Sequence, residues 1–197
     1  FSPIPNARLL IDNKGESYLF ANPKKLTKIK NIKVHNCDER RMENILSQLS
    51  GKNIWLDSAS CSIFYKNLLK KRNKIIEKID PIYFFKSIKN NVEINNIKKS
   101  HLADGIALTK FLFWLKKNFK KKRITEISAQ KKLESFRKMN PSYKFPSFNT
   151  ISGTGPNSAI IHYKASSETN RNLKKGELYL VDSGGQYSFG TTDVTRT

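Results

Sequence analysis

Three side chains in the last third of the chain have the type and spacing to do chemistry: Asp182, Asp193 and His162. Leu178, Leu180 and Val181 give an extended run that Asp182 ends. Gly184-Gly185 marks a turn, and a second extended run at Gln186 and Tyr187 leads through Gly190-Thr-Thr192 to Asp193. A carboxylate avoids a strand interior unless it is paired, hydrogen-bonded or bound to a metal. Eleven positions across a glycine-containing hairpin let the two acids converge. Hard oxygen ligands suit Mn²⁺ or Mg²⁺, and with added histidine Zn²⁺ or Co²⁺. Two carboxylates do not complete such a site, because a pair of metals about 3.5–4 Å apart needs further ligands. The plain alternative is that both acids cap turns, which aspartate often does.

His162 lies in Ile160-Ile-His-Tyr163, read as a strand through 159–163, just after the glycine-rich turn of Ser152-Gly-Thr-Gly-Pro-Asn157. That turn lacks the Gly-Lys-Ser/Thr of a phosphate-binding loop, so nucleotide binding has no support. His35 and His101 have no companion ligands in the sequence and read as structural or surface residues.

The elements that must hold these residues fall into two patterns. Residues 7–12 and 16–21 form a hairpin about Asn13-Lys-Gly15, and Ile32–His35 is a third strand. Met42, Ile45, Leu46 and Leu49 recur on one face of a helix, with Gly51 as its stop. A strand at 53–57, a helix at 60–69 and a strand from Ile75 continue the alternation that marks an α/β domain. Asp80-Pro81 breaks it, and residues 82–88 read as a connector. A long helix then spans 97–119, with Leu108, Leu112, Leu115 and Phe119 on its stripe. Thr125 caps a further helix whose buried face is Ala129, Leu133 and Phe136, and Asn140-Pro141 ends it.

Composition limits the function classes. No run approaches the ~18 apolar residues of a membrane span. The start, Phe1-Ser-Pro-Ile-Pro5, carries no Met and no signal pattern, and reads as the middle of a longer protein. Cys37 and Cys61 are far apart without metal-ligand spacing, which fits two reduced thiols in a cytoplasmic protein. The net charge of +21 comes largely from lysine, with basic runs at 70–74 and 116–123. They carry little of the aromatic interleaving that stacking on bases needs. Solvated helix ends and loops are therefore favoured over a nucleic-acid footprint.

Taken together, Ser152-Gly-Thr-Gly-Pro-Asn-Ser-Ala-Ile-Ile-His-Tyr163, Glu168-Thr-Asn-Arg171, Tyr179-Leu-Val-Asp-Ser-Gly-Gly-Gln-Tyr187 and Gly190-Thr-Thr-Asp-Val-Thr-Arg-Thr197 resemble the aminopeptidase P (Xaa-Pro aminopeptidase) family of creatinase/prolidase "pita-bread" metallopeptidases. Ser100–Ala107 and Thr125–Ser128 resemble the start of their catalytic domain. The resemblance implies a mixed α/β (α+β) fold. Residues 1–82 would be the C-terminal part of a creatinase N-terminal-like middle domain, and 83–197 the first, incomplete part of a pita-bread domain. It implies two divalent metals, most often Mn²⁺, with Zn²⁺ or Co²⁺ as alternatives. Asp182 would bind one metal and Asp193 would bridge both. His162 would be the catalytic and substrate-binding histidine. A further His and two Glu ligands lie later in the family, so the chain alone is expected to be inactive. Gly185 stands where many relatives carry Ala. The implied substrates are peptides with proline second, cleaved by a metal-activated water, in a cytoplasmic protein that can form a homodimer. The competing readings are a pita-bread binding module without catalysis, which retention of both aspartates opposes, and a basic nucleic-acid binder.

Overall fold

A computed structural model describes residues 6–22 and 34–197. The chain divides into two compact units, Pro3–Ile88 and Lys89–Thr197. In the first, strand β1 (Ala7–Ile11) runs antiparallel to β2 (Ser17–Ala21), which pairs in parallel with β3 (Val34–Asp38). The tight turn between β1 and β2 is set by one side chain. Asp12 Oδ1 accepts the amides of Lys14 and Glu16 at 2.8 and 2.9 Å, and Gly15 takes a φ of 84°. Of the strand expected over 32–35, Ile32 and Lys33 lie outside the described residues, as does Phe1–Pro5.

Helix α1 (Met42–Ser47) follows, then β4 (Asn53–Leu56), α2 (Ile63–Lys70) and β5 (Lys74–Glu77), with β4 and β5 parallel. Parallel strands need a crossover, and α2 supplies it. Ser62 caps α2 by accepting the Phe64 amide. Phe20, Met42, Leu46 and Leu69 form the buried core of this unit. Cys37 and Cys61 are both free and half-buried.

The expected connector at 82–88 is a helix, α3 (Pro81–Ser87). Asp80 accepts the Ile82 amide at 2.8 Å, and Pro81 occupies the first turn. Asp-Pro here starts a helix, because proline lacks only an amide that would be orphaned there anyway.

The second unit opens with α4 (Asn91–Asn118), which starts six residues before the expected 97. A reciprocal cap explains the extension. Asn90 Oδ1 accepts the Glu93 amide at 2.9 Å, and Glu93 Oε2 accepts the Asn90 amide at 3.0 Å. The buried face of α4 carries Asp104, Ala107, Leu108 and Phe111, whereas Leu112 is 38% exposed. Helix α5 (Glu126–Arg137) is capped by Thr125 and packs on α4. Leu108, Phe111, Ile124, Ala129, Leu133 and Val181 form the core between the helices and the strands.

Two antiparallel three-stranded sheets complete the unit. One is β10 (Gly190–Thr191), β9 (Gly185–Tyr187) and β6 (Tyr143–Pro146), in that order. The other is β11 (Val194–Arg196), β8 (Tyr179–Ser183) and β7 (Ile151–Thr154). The closing segment is therefore more than one hairpin. Gly184 is where the chain leaves one sheet for the other, and the tight turn lies later, between Tyr187 and Gly190. No helix among the described residues is long and apolar enough to cross a membrane.

Candidate metal centre

Register places Asp182 in β8 and Asp193 just before β11, the strand that pairs with it. Val194 lies opposite Ser183, Thr195 opposite Asp182, and Arg196 opposite Val181. Asp193 directly precedes β11. Side chains alternate faces along a strand. Val181 and Ser183 are 1% and 0% exposed and point into the core, so Asp182 between them faces the other way. Asp182 is half-buried and Asp193 is exposed. Thr195 Oγ1 donates to Asp182 Oδ1 at 2.7 Å, across the β8–β11 pairing.

The loop between the aspartates is pinned by short polar contacts. Ser147 Oγ donates to the Thr192 carbonyl at 2.8 Å, and the Ser147 amide to the Gly184 carbonyl at 3.1 Å. The Gly185 amide donates to Thr192 Oγ1, and the Thr192 amide to the Gly185 carbonyl, both at 2.9 Å. Gly184 has no room for a side chain: a Cβ there would land on the Thr192 carbonyl and the Ser147 hydroxyl. At Gly185 a methyl would meet the rings of Tyr187 and Tyr143 at 2.9 and 3.0 Å. In this chain the edge-on pair Tyr143–Tyr187 occupies that space.

Cations answer some of the acids and not others. The chain has 37 Lys and Arg against 16 Asp and Glu. Cation partners are taken up by Glu77 (Lys66, 2.7 Å), Asp104 (Arg137, 2.7 Å) and Glu177 (Arg171, 3.2 Å). Among the described residues neither Asp182 nor Asp193 pairs with a Lys or Arg. Asp12, Asp57 and Glu126 also have no Lys or Arg ion pair among the described residues. Two carboxylates, one in β8 and oriented by a hydroxyl, the other directly before β11, offer the oxygen chemistry that suits a hard divalent cation. Among the described residues no three His, Cys, Asp or Glu side chains cluster as metal ligands. A hard cation takes about six oxygens, so two carboxylates alone do not make up a shell.

His162 is not in a strand. A 3-10 turn over Gly155–Ala159 follows β7, and His162 sits in the next turn with a φ of 55°, on the surface. Pro156 starts the 3-10 turn and prevents a continuous strand. The turn follows β7, the neighbour of β8 on the side away from β11.

Sequence reasoning missed the buried charges behind the site. Arg137 and Asp104 are 1% and 2% exposed. Arg137 Nε donates to Asp104 Oδ1 at 2.7 Å, and its terminal nitrogen reaches Asp104 Oδ2 at 3.1 Å and Ser183 Oγ at 3.0 Å. Tyr187 donates its hydroxyl to Asp104 Oδ1 at 2.8 Å, and burial with this bond pushes the phenol well above its usual range. Glu126 is fully buried at the start of α5. One signal was available: Glu126, Ala129, Leu133 and Arg137 share one helical face, and a charge on an apolar stripe must have a partner.

Comparison with known proteins gives this geometry a lineage. Residues 95–197 match metallopeptidase family M24, and residues 1–93 match the creatinase/prolidase N-terminal domain. The Xaa-Pro aminopeptidase ApepP of Drosophila melanogaster is 45% identical over 145 residues, covering 73% of this chain and 23% of that protein. Human Xaa-Pro aminopeptidase 2 is 38% identical over 144 residues, covering 73% and 21%. The chain thus spans about a quarter of the length of such relatives. Among solved structures, the X-prolyl aminopeptidase of Caenorhabditis elegans, a cytosolic enzyme with a di-nuclear active site, superposes with a TM-score of 0.83 at 26% identity. That superposition covers 98% of this chain and 34% of the worm protein. The prolidase of Pyrococcus furiosus shares the fold at a TM-score of 0.71 and 23% identity, over the whole of this chain and 56% of its own. The chain, a creatinase N-terminal-type α/β unit followed by the pita-bread strands at Asp182 and Asp193, belongs to metallopeptidase family M24.

Proposed function

We propose that this chain supplies the opening part of the catalytic domain of a metal-dependent Xaa-Pro aminopeptidase, in residues 83–197, preceded in 1–82 by the end of the middle domain. The observation that carries the reading is the pair Asp182, in β8, and Asp193, directly before the strand that pairs with β8, in a segment that matches family M24. By family resemblance, Asp182 and Asp193 would be among the residues that hold the metals. The remaining ligands, a histidine and two glutamates by family resemblance, come from outside residues 1–197. Two divalent ions, manganese by that resemblance, supply Lewis-acid polarisation and a water with a lowered pKa.

The chain's own residues do the rest. Thr195 fixes the orientation of Asp182 by donating to Oδ1. Gly184 and the Ser147–Thr192 contacts fix the path from Asp182 to Asp193, and with it their separation. His162 lines the substrate site, where it moves a proton or donates a hydrogen bond to the oxygen that gains charge as the Xaa-Pro bond is attacked. Substrates are peptides with proline second. The cytoplasm is the proposed compartment and a homodimer the proposed assembly.

The test is hydrolysis of an Xaa-Pro peptide by the complete protein, with Mn²⁺ and after chelation. Chelation abolishes turnover. Asp182→Asn and Asp193→Asn each lower kcat/KM by more than the ~100-fold that loss of a mere supporting partner costs. Residues 1–197 alone with Mn²⁺ are inactive. Retained turnover in the Asp193 variant removes the metal assignment, and turnover by the isolated chain removes the need for further ligands.

A further inference from the structure

Glu126 is a fully buried carboxylate that the proposed mechanism does not use. It is the first residue of α5, yet its bonds go elsewhere. Oε1 accepts the Thr154 amide at 2.8 Å and Asn157 Nδ2 at 3.1 Å. Oε2 accepts the Tyr163 hydroxyl at 2.8 Å and the Arg171 amide at 3.0 Å. Its backbone carbonyl accepts Ser152 Oγ at 2.8 Å, and its amide donates to the Arg171 carbonyl at 3.0 Å. One residue therefore ties down the end of β7, the 3-10 turn, the turn that follows and the loop at Arg171.

His162 sits inside that tied segment, one residue before Tyr163. It is the one non-glycine residue among those described with a positive φ, at 55°. A left-handed backbone costs an L-residue roughly 1–2 kcal/mol, and it persists where the surroundings over-determine it. The surroundings here are specific. Tyr163 is 7% exposed and anchored inward, while Ile161 on the other side of His162 is 86% exposed. The Tyr163 hydroxyl also accepts from Asn157 Nδ2 at 2.8 Å, and the Tyr163 amide donates to the Ile160 carbonyl at 3.2 Å. The turn is closed from both sides, and the chain reverses at His162 with its side chain on the surface.

We infer that Glu126 is the positioning residue of the site: its carboxylate clamps the Thr154–Tyr163 loop, and through Tyr163 and Asn157 it holds His162 in the left-handed backbone that presents the imidazole. This rests on the reading of His162 as the substrate-side histidine. The clamp depends on both oxygens accepting. Glutamine would turn an NH₂ toward donors on one side, leaving at least one buried donor unpaired.

The test uses Glu126→Gln and the milder Tyr163→Phe in the complete protein, each alone and combined with His162→Ala. Two readouts are taken: trypsin cleavage after Lys164, located by mass spectrometry, and kcat and KM for an Xaa-Pro peptide. Glu126→Gln raises cleavage after Lys164 about tenfold and lowers kcat about tenfold with KM little changed. Tyr163→Phe gives the same pattern at about threefold, and it carries the test if Glu126→Gln does not fold. Combined with His162→Ala, neither variant lowers kcat further, because the clamp acts through that histidine. Additive losses, or loss of kcat with Lys164 still protected, overturn the inference. If His162→Ala is fully active, the reading of His162 fails instead, and cleavage after Lys164 alone decides whether Glu126 holds the loop.

Discussion

Arg137 offers the sharpest test of how the second unit holds the strand that carries Asp182. Its guanidinium makes two bonds to Asp104 on α4 and one to Ser183, the residue after Asp182. Replacing it by methionine keeps most of the volume and removes all three donors. Asp104 Oδ2 then has no donor from the arginine, and Oδ1 keeps only the Tyr187 hydroxyl. A buried carboxylate stripped of its partner costs about 3–5 kcal/mol, against about 5–15 kcal/mol for a whole domain. With a urea slope of ~2 kcal/mol/M, a loss of ~4 kcal/mol moves the midpoint by about 2 M. The assay is urea unfolding followed by Trp114 fluorescence in a Trp55→Phe background. Trp114 packs on the core of this unit, so the signal reports it directly. Asp104→Leu combined with Arg137→Met removes both charges and leaves two hydroxyls unpaired, so it recovers to within ~2 kcal/mol of the parent. If the single and double variants unfold at the same midpoint, lost packing explains the effect and the buried-charge argument is wrong.

Two further outcomes follow from the same unit. Gly184→Ala drives a methyl into the Thr192 carbonyl; backbone must move, so stability falls by about 1–3 kcal/mol in a thermal melt, whereas an unchanged midpoint would show the crossover is loose. At high pH, burial raises the phenols of Tyr143, Tyr179 and Tyr187, with Tyr179 pushed up to about 12. A raised phenol favours the neutral form in the fold. The stability it contributes is therefore complete below pH about 10 and is lost as pH climbs toward 12. Melting temperatures measured across that range fall, and Tyr179→Phe lessens the fall; a flat profile in both proteins refutes the assignment.

Much of this was readable before any coordinates because it depended on neighbours in the chain. The helix at Met42–Ser47 announces itself through apolar spacing, and the cap at Thr125 is a local bond spanning three residues, whereas the equally local cap at Asn90 moves the start of α4 six residues ahead of the expected 97. Where local signals were misread, as at Asp80-Pro81, the chemistry was present and was given the wrong meaning. The turn at His162 was different. Ile160-Ile-His-Tyr163 has strand-like composition, and what overrides it is a carboxylate more than thirty positions earlier. The same holds for Asp104, which finds Arg137 thirty-three positions and Tyr187 eighty-three positions along. Sequence pattern shows which residues resemble a core; it does not show which distant donor will answer a buried charge.

That distinction separates the acids of this chain by role. Glu126 and Asp104 are buried: Glu126 accepts from Thr154, Asn157, Tyr163 and Arg171, and Asp104 accepts twice from Arg137 and once from Tyr187, all from distant segments. Glu168, on the surface, is satisfied by Ser166 and Ser167, which hold its carboxyl down at about 2. Asp182 has one hydroxyl donor, and no cation answers either it or Asp193 among the described residues. Asp12 and Asp57 also lack a Lys or Arg ion pair, but backbone amides answer them, whereas Asp182 accepts from a single hydroxyl. A lysine seated on Asp182 or Asp193 would compete directly with a divalent ion. With so few bonds into the fold, the carboxylate oxygens of Asp182 and Asp193 remain available for the metal role proposed above, and Asp193→Asn tests that role with little cost to stability.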